Sequence, residues 1–387
     1  MRNNLRNVLL IPILLLAALL TAAALAACSP AAPAAEADGP ADESAGEGSL
    51  PETLAEGITV IDALDRTITF DEPPQRIVLA GKALFMVADA MYTFPEAWPR
   101  VVATGDTGQS GSDNFIAQID PAYPEKEVLA GDAGAEQIAA TNPDAVVLKS
   151  FLAESLGAPL EALGIPVIYV TLETPEHYHR DLATLGALFQ NEARAGELLA
   201  YYQNKIFEIK QPLAGLTEAE KPAVLLLYYS DRDGEVAFNV PPQSWIQTIM
   251  VQDAGGRPVW AEANPGGGWA KVNLEQIAAW DADVILIVSY FRSPAEVVAE
   301  VQADPQWQQL RAVQNGSLYA FPGDFYSWDQ PDTRWILGQI WLAQTLHPEM
   351  YPDLDLQAEV VEFYSELYGL DGDFIEQEVQ PRLKGDL

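Results

Sequence analysis

The chain has 387 residues, with 21 Lys and Arg set against 56 Asp and Glu, for a formal net charge of -35. That balance excludes polyanionic nucleic acid as a partner, because such binding needs clustered basic side chains to neutralise phosphates. With 49% apolar residues the cores are well supplied, and the roughly 330 residues beyond position 57 are enough for two domains; the acidic surface keeps an exported protein soluble and favours a cationic ligand or a basic docking site.

Arg2 and Arg6 precede an uncharged stretch from Val8 to Ala27, and the single cysteine, Cys28, falls in Leu25-Ala26-Ala27-Cys28-Ser29. This is the positive, apolar, small-residue order of an export signal. It resembles a bacterial lipoprotein signal, which implies removal of residues 1–27, diacylation of Cys28 and a mature protein lipid-anchored on the extracytoplasmic face of the cell membrane. An uncleaved anchor is the alternative, since about 20 apolar residues span a bilayer. Loss of Arg2 and Arg6 makes the mature chain more acidic still. Residues 28–57, rich in Ala, Pro, Gly, Ser and acids without apolar periodicity, predict a flexible tether.

Beyond the tether, continuous apolar runs predict strands at 76–80, 101–104, 145–148 and 166–171, then at 223–229, 284–290 and 317–321. Helical stretches alternate with them, so both sheets should be largely parallel. A repeat links the halves: Glu136-Gln137-Ile138-Ala139-Ala140 and Glu275-Gln276-Ile277-Ala278-Ala279 each open a short helix, followed by a turn and a buried strand. Two similar α/β lobes are therefore expected, at 58–172 and 212–387. Between them, apolar positions at Leu182, Leu185, Leu188, Leu198, Tyr202, Ile206 and Ile209 predict one amphipathic helix over 177–211 within a bridge at 173–211. Thr174 and Pro175 suit its start and Pro212 its end. A helix of about 35 residues spans roughly 50 Å, and lobes joined so stiffly should move little.

These segments resemble the substrate-binding lipoproteins of ABC transporters that handle iron-siderophores, haem, cobalamin and, in some members, molybdate or tungstate. The resemblance rests on Pro74-Gln75-Arg76-Ile77-Val78, the two Glu-Gln-Ile-Ala-Ala units, Leu163-Gly164-Ile165-Pro166-Val167, Asn273-Leu274, the stretch from Trp307 to Tyr319, and Phe363-Tyr364 with Tyr368-Gly369. It implies an α/β protein of two Rossmann-like lobes with mainly parallel sheets, bridged by one long α-helix, with ligand held in the cleft between them. It also implies that a glutamate on each lobe docks into basic pockets of the membrane permease, and the matching positions are Glu136 and Glu275. From the residues alone, both are carboxylates favourably placed at helix N-termini. The implied state is a monomer with a permease and a small-molecule chelate or oxyanion as partners, and with no cofactor.

Ligands of open α/β sheets bind beyond the carboxyl ends of the strands. In the first lobe that rule selects Lys82 and Phe85, then Thr104, Asp106 and Asn114, then Lys149 and Phe151. In the second it selects Tyr228, Tyr229 and Arg232, then Tyr290 and Arg292, then Phe325, Tyr326, Trp328 and Asp329, with Trp245, Trp269 and Lys271 on intervening loops. Rings interleaved with cations suit a planar anionic metal chelate, the rings covering apolar ligand surface and the cations pairing with its oxygens. The same aromatics also suit a core. Arg334, in Asp332-Thr333-Arg334-Trp335, is expected to make a local ion pair at a helix start.

A bare metal site is not expected. His177 and His179 are two apart, where helical positions do not share a face, and His347 precedes Pro348. No Gly-x-Ser-x-Gly, His-Glu-x-x-His or Walker loop occurs, and Gly266-Gly267-Gly268-Trp269 lacks the Lys-Ser or Lys-Thr that cradles phosphate. No catalytic residue is assigned. A receptor for a ferric-siderophore or similar chelate is the leading expectation. A molybdate or tungstate receptor, or a secreted glycan-active hydrolase built on paired carboxylates, are the alternatives.

Overall fold

The computed structural model describes residues 57–108, 114–231 and 234–387; Cys28, the signal and nearly all of the tether lie outside the described residues, as does Arg232. Strands β1 (Ile58–Ile61) and β2 (Thr67–Phe70) form an antiparallel hairpin ahead of the first lobe. Its period-2 pattern buries Ile58 and Val60 and exposes Thr59 and Ile61. Asp62 closes the turn by accepting from the N–H groups of Leu64 and Arg66 and from the Arg66 guanidinium.

The first lobe is a five-stranded parallel sheet of β3 (Ile77–Leu79), β4 (Val101–Thr104), β5 (Glu127–Val128), β6 (Ala145–Lys149) and β7 (Val167–Val170), ordered β5-β4-β3-β6-β7. Helices cover both faces, so β3, β6 and β7 are buried at every position and read as apolar runs. The order reverses between β3 and β6, and the loops leaving those strands part to form a crevice. At the end of β3, Gly81 (φ +88) turns the chain where an added Cβ would lie 2.4 Å from Leu152 Cδ1. The chain then enters α1 (Leu84–Tyr92). Further on, α2 (Ala135–Ala140) carries the first copy of the repeat.

The bridge is two helices rather than one. Thr174 and Pro175 start α3 (Pro175–Phe189), as the sequence predicts, with Thr174 Oγ1 accepting from His177 N–H. Gln190 then takes a left-handed conformation (φ 55) and Asn191 caps α4 (Glu192–Leu213), its side-chain oxygen accepting from Arg194 N–H at 3.0 Å. The chain doubles back, so that Tyr178 packs on Tyr202 with ring centroids 5.7 Å apart and Gly186 abuts Ala195. The long bridging helix is thus α4, about 33 Å at 1.5 Å per residue, and Pro212 lies inside its last turn instead of ending it.

The second lobe contains β8 (Ala223–Ser230), β9 (Ala237–Val240), α5 (Ile246–Asp253), β10 (Arg257–Pro258), β11 (Ala270–Val272), α6 (Leu274–Trp280), β12 (Val284–Val288), β13 (Leu318–Ala320), α7 (Trp335–Leu346) and α8 (Leu356–Tyr368). Its sheet runs β11-β9-β8-β12-β13, with β10 beside the first residues of β8. β8, β10, β12 and β13 are parallel; β9 and β11 are antiparallel and escape the apolar-run rule because one face is open. The repeat recurs as α6, where Asn273 Oδ1 accepts from Gln276 N–H and Gln276 Oε1 accepts from Asn273 N–H. In α2 the matching Gln137 Oε1 accepts from Gly134 N–H. The shared Gln is therefore the third helical residue and reaches back to the N-cap N–H in both lobes, and Asn273, unlike Gly134, has the side chain that completes a capping box. No helix among the described residues is long and apolar enough to cross a membrane.

One hydrophobic core runs without interruption from the first lobe through the bridge into the second. At its centre lies Arg334, whose guanidinium pairs with Asp89 of α1 and, at 2.8 Å, with Asp324. It is sandwiched between the rings of Phe115 (4.5 Å) and Tyr326 (4.8 Å). The local contact expected from sequence is present, the Arg334 N–H donating to Asp332 and the guanidinium lying 3.9 Å from its carboxylate, and the side chain also crosses to Asp89 of the other lobe. Tyr178 OH donating to Pro331 O, Tyr202 OH to Thr333 O and Tyr368 OH to Asp89 O stitch the same seam. Lobes that share a core and a buried charge cluster are held in one arrangement.

Candidate functional site: an aromatic cleft between the lobes

A cleft of about 500 Å³ opens where the strand-order reversals of the two lobes face each other. From the first lobe it takes Ala83 and Met86 after β3, Ser150 and Phe151 after β6, and Thr171 and Glu173 after β7. From the second come Trp245, Ile246 and Gln247 at the start of α5, Gly267 and Trp269 ahead of β11, Tyr290 after β12, and Gln330 and Pro331 ahead of α7.

The second-lobe wall is a run of packed rings. Trp245 meets Trp269 edge-on at 5.5 Å, Trp269 meets Tyr228 at 5.0 Å, and Tyr228 stacks on Tyr290 at 4.7 Å. Buried Asn264 sets the glycine loop that presents Trp269. Its amide donates to Val240 O and Gly268 O, both at 2.9 Å, and its oxygen accepts from Gly266 N–H. Of the triple glycine, Gly267 reaches the cleft itself. Opposite stands Phe151, 58% exposed although apolar. An exposed aromatic facing a ring-lined cleft marks a contact surface.

Beneath the wall lies Asp329, fully buried. Tyr290 OH donates to it at 2.8 Å and Gln247 Nε2 at 3.2 Å. Burial pushes its carboxyl up to about 6, against those hydrogen bonds. On the first-lobe side, Lys149 is buried. Its ammonium donates to Thr171 O at 2.5 Å and pairs with Glu173 at 2.5 Å. Burial lowers its pKa despite the neighbouring acid. Ser150 and Thr171 share a hydroxyl hydrogen bond at 2.9 Å.

Of the residues singled out from sequence, the structure gathers Phe151, Trp245, Trp269 and Tyr290 around the cleft. Lys149 lies behind it, held by carbonyls and Glu173. Phe85 packs on Tyr326 at 4.8 Å. Tyr326 is buried and its OH donates to Thr107 O, while Trp328 is buried with Nε1 donating to Asp324, so both belong to the seam between the lobes. Tyr229 OH accepts from Arg292, and Arg292 pairs with Glu300 on the surface. Lys271 pairs with Glu235. Lys82 is exposed next to Ala83. Asn114 caps the helix Phe115–Ile119. The sequence reading passed over Glu173 and Gln247. Glu173 follows β7 and obeys the strand-end rule, whereas nothing in the sequence marks Gln247. Among the described residues no group of three or more His, Cys, Asp or Glu side chains is arranged to hold a metal ion.

Two α/β lobes joined by a helical bridge and facing each other across a solute-sized cleft at their switch points define a solute-binding protein. The chain belongs to the periplasmic binding protein family, whose model matches residues 83–325. Among curated proteins it is similar to the molybdate-binding protein MolA of Haemophilus influenzae, 23% identical over 332 residues, 80% of this chain and 90% of MolA. A periplasmic solute binding protein of Veillonella parvula superposes with a TM-score of 0.67 at 20% identity, covering 84% of this chain and 97% of that one. Helicobacter pylori CeuE, in a nickel-histidine complex, superposes with a TM-score of 0.63 at 20% identity, covering 84% and 99%.

Proposed function

We propose that this protein is the extracytoplasmic receptor of an ABC importer, anchored by lipid on Cys28, and that its cargo is an organic metal chelate. The observation that carries the reading is the cleft itself: about 500 Å³, walled by rings from both lobes, with no Lys or Arg among the described residues that line it. A bare oxyanion needs converging donors and positive charge, and Lys149, the strand-end lysine best placed to supply them, is consumed by Glu173 and two backbone carbonyls. An organic chelate instead presents apolar surface that rings cover. The relatives span both chemistries, MolA by its name binding molybdate and CeuE being in a nickel-histidine complex.

Native mass spectrometry of protein purified from its own host is expected to show a retained metal complex, and Trp269→Ala is expected to weaken capture of that complex by about 30-fold, the scale of a buried aromatic anchor. Retained molybdate or tungstate, released by Lys82→Ala and indifferent to Trp269→Ala, would reverse the assignment.

A further inference from the structure

Two acceptors stand out among the polar groups at the cleft, beside the donors that Gln330 and the indoles of Trp245 and Trp269 bring to its wall. Tyr290 OH and Gln247 Nε2 both spend their protons on Asp329, and the Lys149 ammonium is turned away onto Thr171 O, Leu172 O and Glu173 Oε1. Among the described residues the buried Gln247 Oε1 has no partner, and Glu173 lies at the cleft with a side chain more than a third exposed. The Lys149–Glu173 pair is neutral overall, but its negative end faces the cleft and its positive end the protein. Lys271 is likewise paired with Glu235 and Arg292 with Glu300, while Lys82 is exposed beside the lining residue Ala83.

Resting on the chelate reading above, we infer that the cleft selects a chelate bearing a positively charged, N–H-rich group such as an ammonium, received by Glu173 and the Gln247 carbonyl oxygen against the rings of Trp245, Trp269 and Phe151. A cation over ring faces is attracted by their quadrupoles, most strongly where water is excluded. The same group supplies the donors that a buried, unpartnered acceptor requires. A catecholate chelate, rich in anionic oxygens, brings acceptors to acceptors and a negative charge to Glu173.

The test uses three ferric complexes that differ chiefly in charge: a trihydroxamate with a pendant ammonium (ferrioxamine B), its N-acetylated neutral derivative, and an anionic tricatecholate. Quenching of tryptophan fluorescence is read at one salt concentration, with molybdate as a fourth probe. The ammonium complex is expected to bind about tenfold more tightly than the acetylated one, and the tricatecholate most weakly. Glu173→Gln should shrink the ammonium advantage to about threefold or less. Lys149→Met/Glu173→Gln, which removes both members of the pair, should do the same, so a fold defect from an unpaired Lys149 is separable. Equal or tighter binding of the tricatecholate, or an ammonium advantage that survives in both variants, overturns the charge selection and leaves the chelate reading standing. If none of the three iron complexes binds and molybdate quenches instead, the chelate reading fails and the charge selection with it.

Discussion

Arg334→Met is expected to lower the unfolding free energy by about 3–5 kcal/mol, the cost of leaving buried charge uncompensated. The guanidinium pairs with Asp89, Asp324 and Asp332, all fully or nearly fully buried. Asp324 keeps other donors, from Tyr364 OH at 2.6 Å and Trp328 Nε1 at 3.0 Å. Asp89 does not, since its second oxygen is already unpartnered. Burial raises the Asp89 carboxyl to about 6 even with Arg334 pulling it down, against about 3.9 in an unfolded chain. Between those values the folded protein binds more protons than the unfolded one. This group's contribution to stability is therefore complete below about pH 4, declines as pH rises through 6, and is flat above. Removing Arg334 pushes the acids higher still, so the variant's deficit should be larger at pH 7.5 than at pH 5. Denaturant unfolding of variant and parent at both pH values measures this, and a deficit below about 1 kcal/mol, or one independent of pH, would show that the cluster does not hold the lobes. Asp89→Asn in the Arg334→Met background should recover part of the loss, because the contact they make is shared.

The same cluster shows where sequence reading stops. The parallel strands buried on both faces were legible, because such a strand must be apolar throughout, and β4 falls on its predicted bounds while β6 and β12 start where expected; β5 and β10, two residues each with no fully buried position, gave no such signal. The hairpin of β1 and β2 stands outside the alternation of strands and helices, so only its short period-2 pattern signalled it. The break in the bridge had a local sign as well: Asn191 before Glu192 is an N-cap followed by an acid, set in a gap of the apolar pattern between Phe189 and Leu198. Aromatics were the hard case. Trp245, Trp269, Tyr326 and Trp328 occupy the same kind of strand-end loop, and composition cannot tell a ring that waits for a ligand from one that closes a seam. What separates them is the polar company around residues 324–334, where Arg334 pairs with Asp324 and Asp332 while every position from 321 to 343 is buried. The ion pairs of the expected cations were hidden for a related reason, since each of Lys149, Lys271 and Arg292 meets an acid that lies far away in the chain or on another element.

Charge reversal at Glu136 and Glu275 together is expected to abolish uptake while leaving chelate affinity unchanged. Each is the second residue of its helix, each is exposed, and each sits just before a Gln whose side chain closes back onto the N-cap N–H and fixes the helix start without engaging the glutamate. Ile138 and Ile277, two residues further on, are buried and lock the helices to their lobes. Glu136 and Glu275 are therefore carboxylates held rigidly outward at matching points of a repeated unit, with no internal partner to explain them. A basic pocket on the permease would use both. Breaking one such pair at an interface costs about 2–5 kcal/mol, so Glu136→Arg or Glu275→Arg alone should cut uptake by more than tenfold, and the double variant should reach background. The helices themselves should lose only about 0.3–1 kcal/mol each, the worth of an acid near a helix N-terminus, and neither residue lines the cleft. Transport by cells carrying the variants, set beside fluorescence titration of the purified proteins, separates the two effects. Normal uptake in the double variant would remove the docking role, and a loss of affinity equal to the loss of uptake would place these glutamates in ligand binding instead.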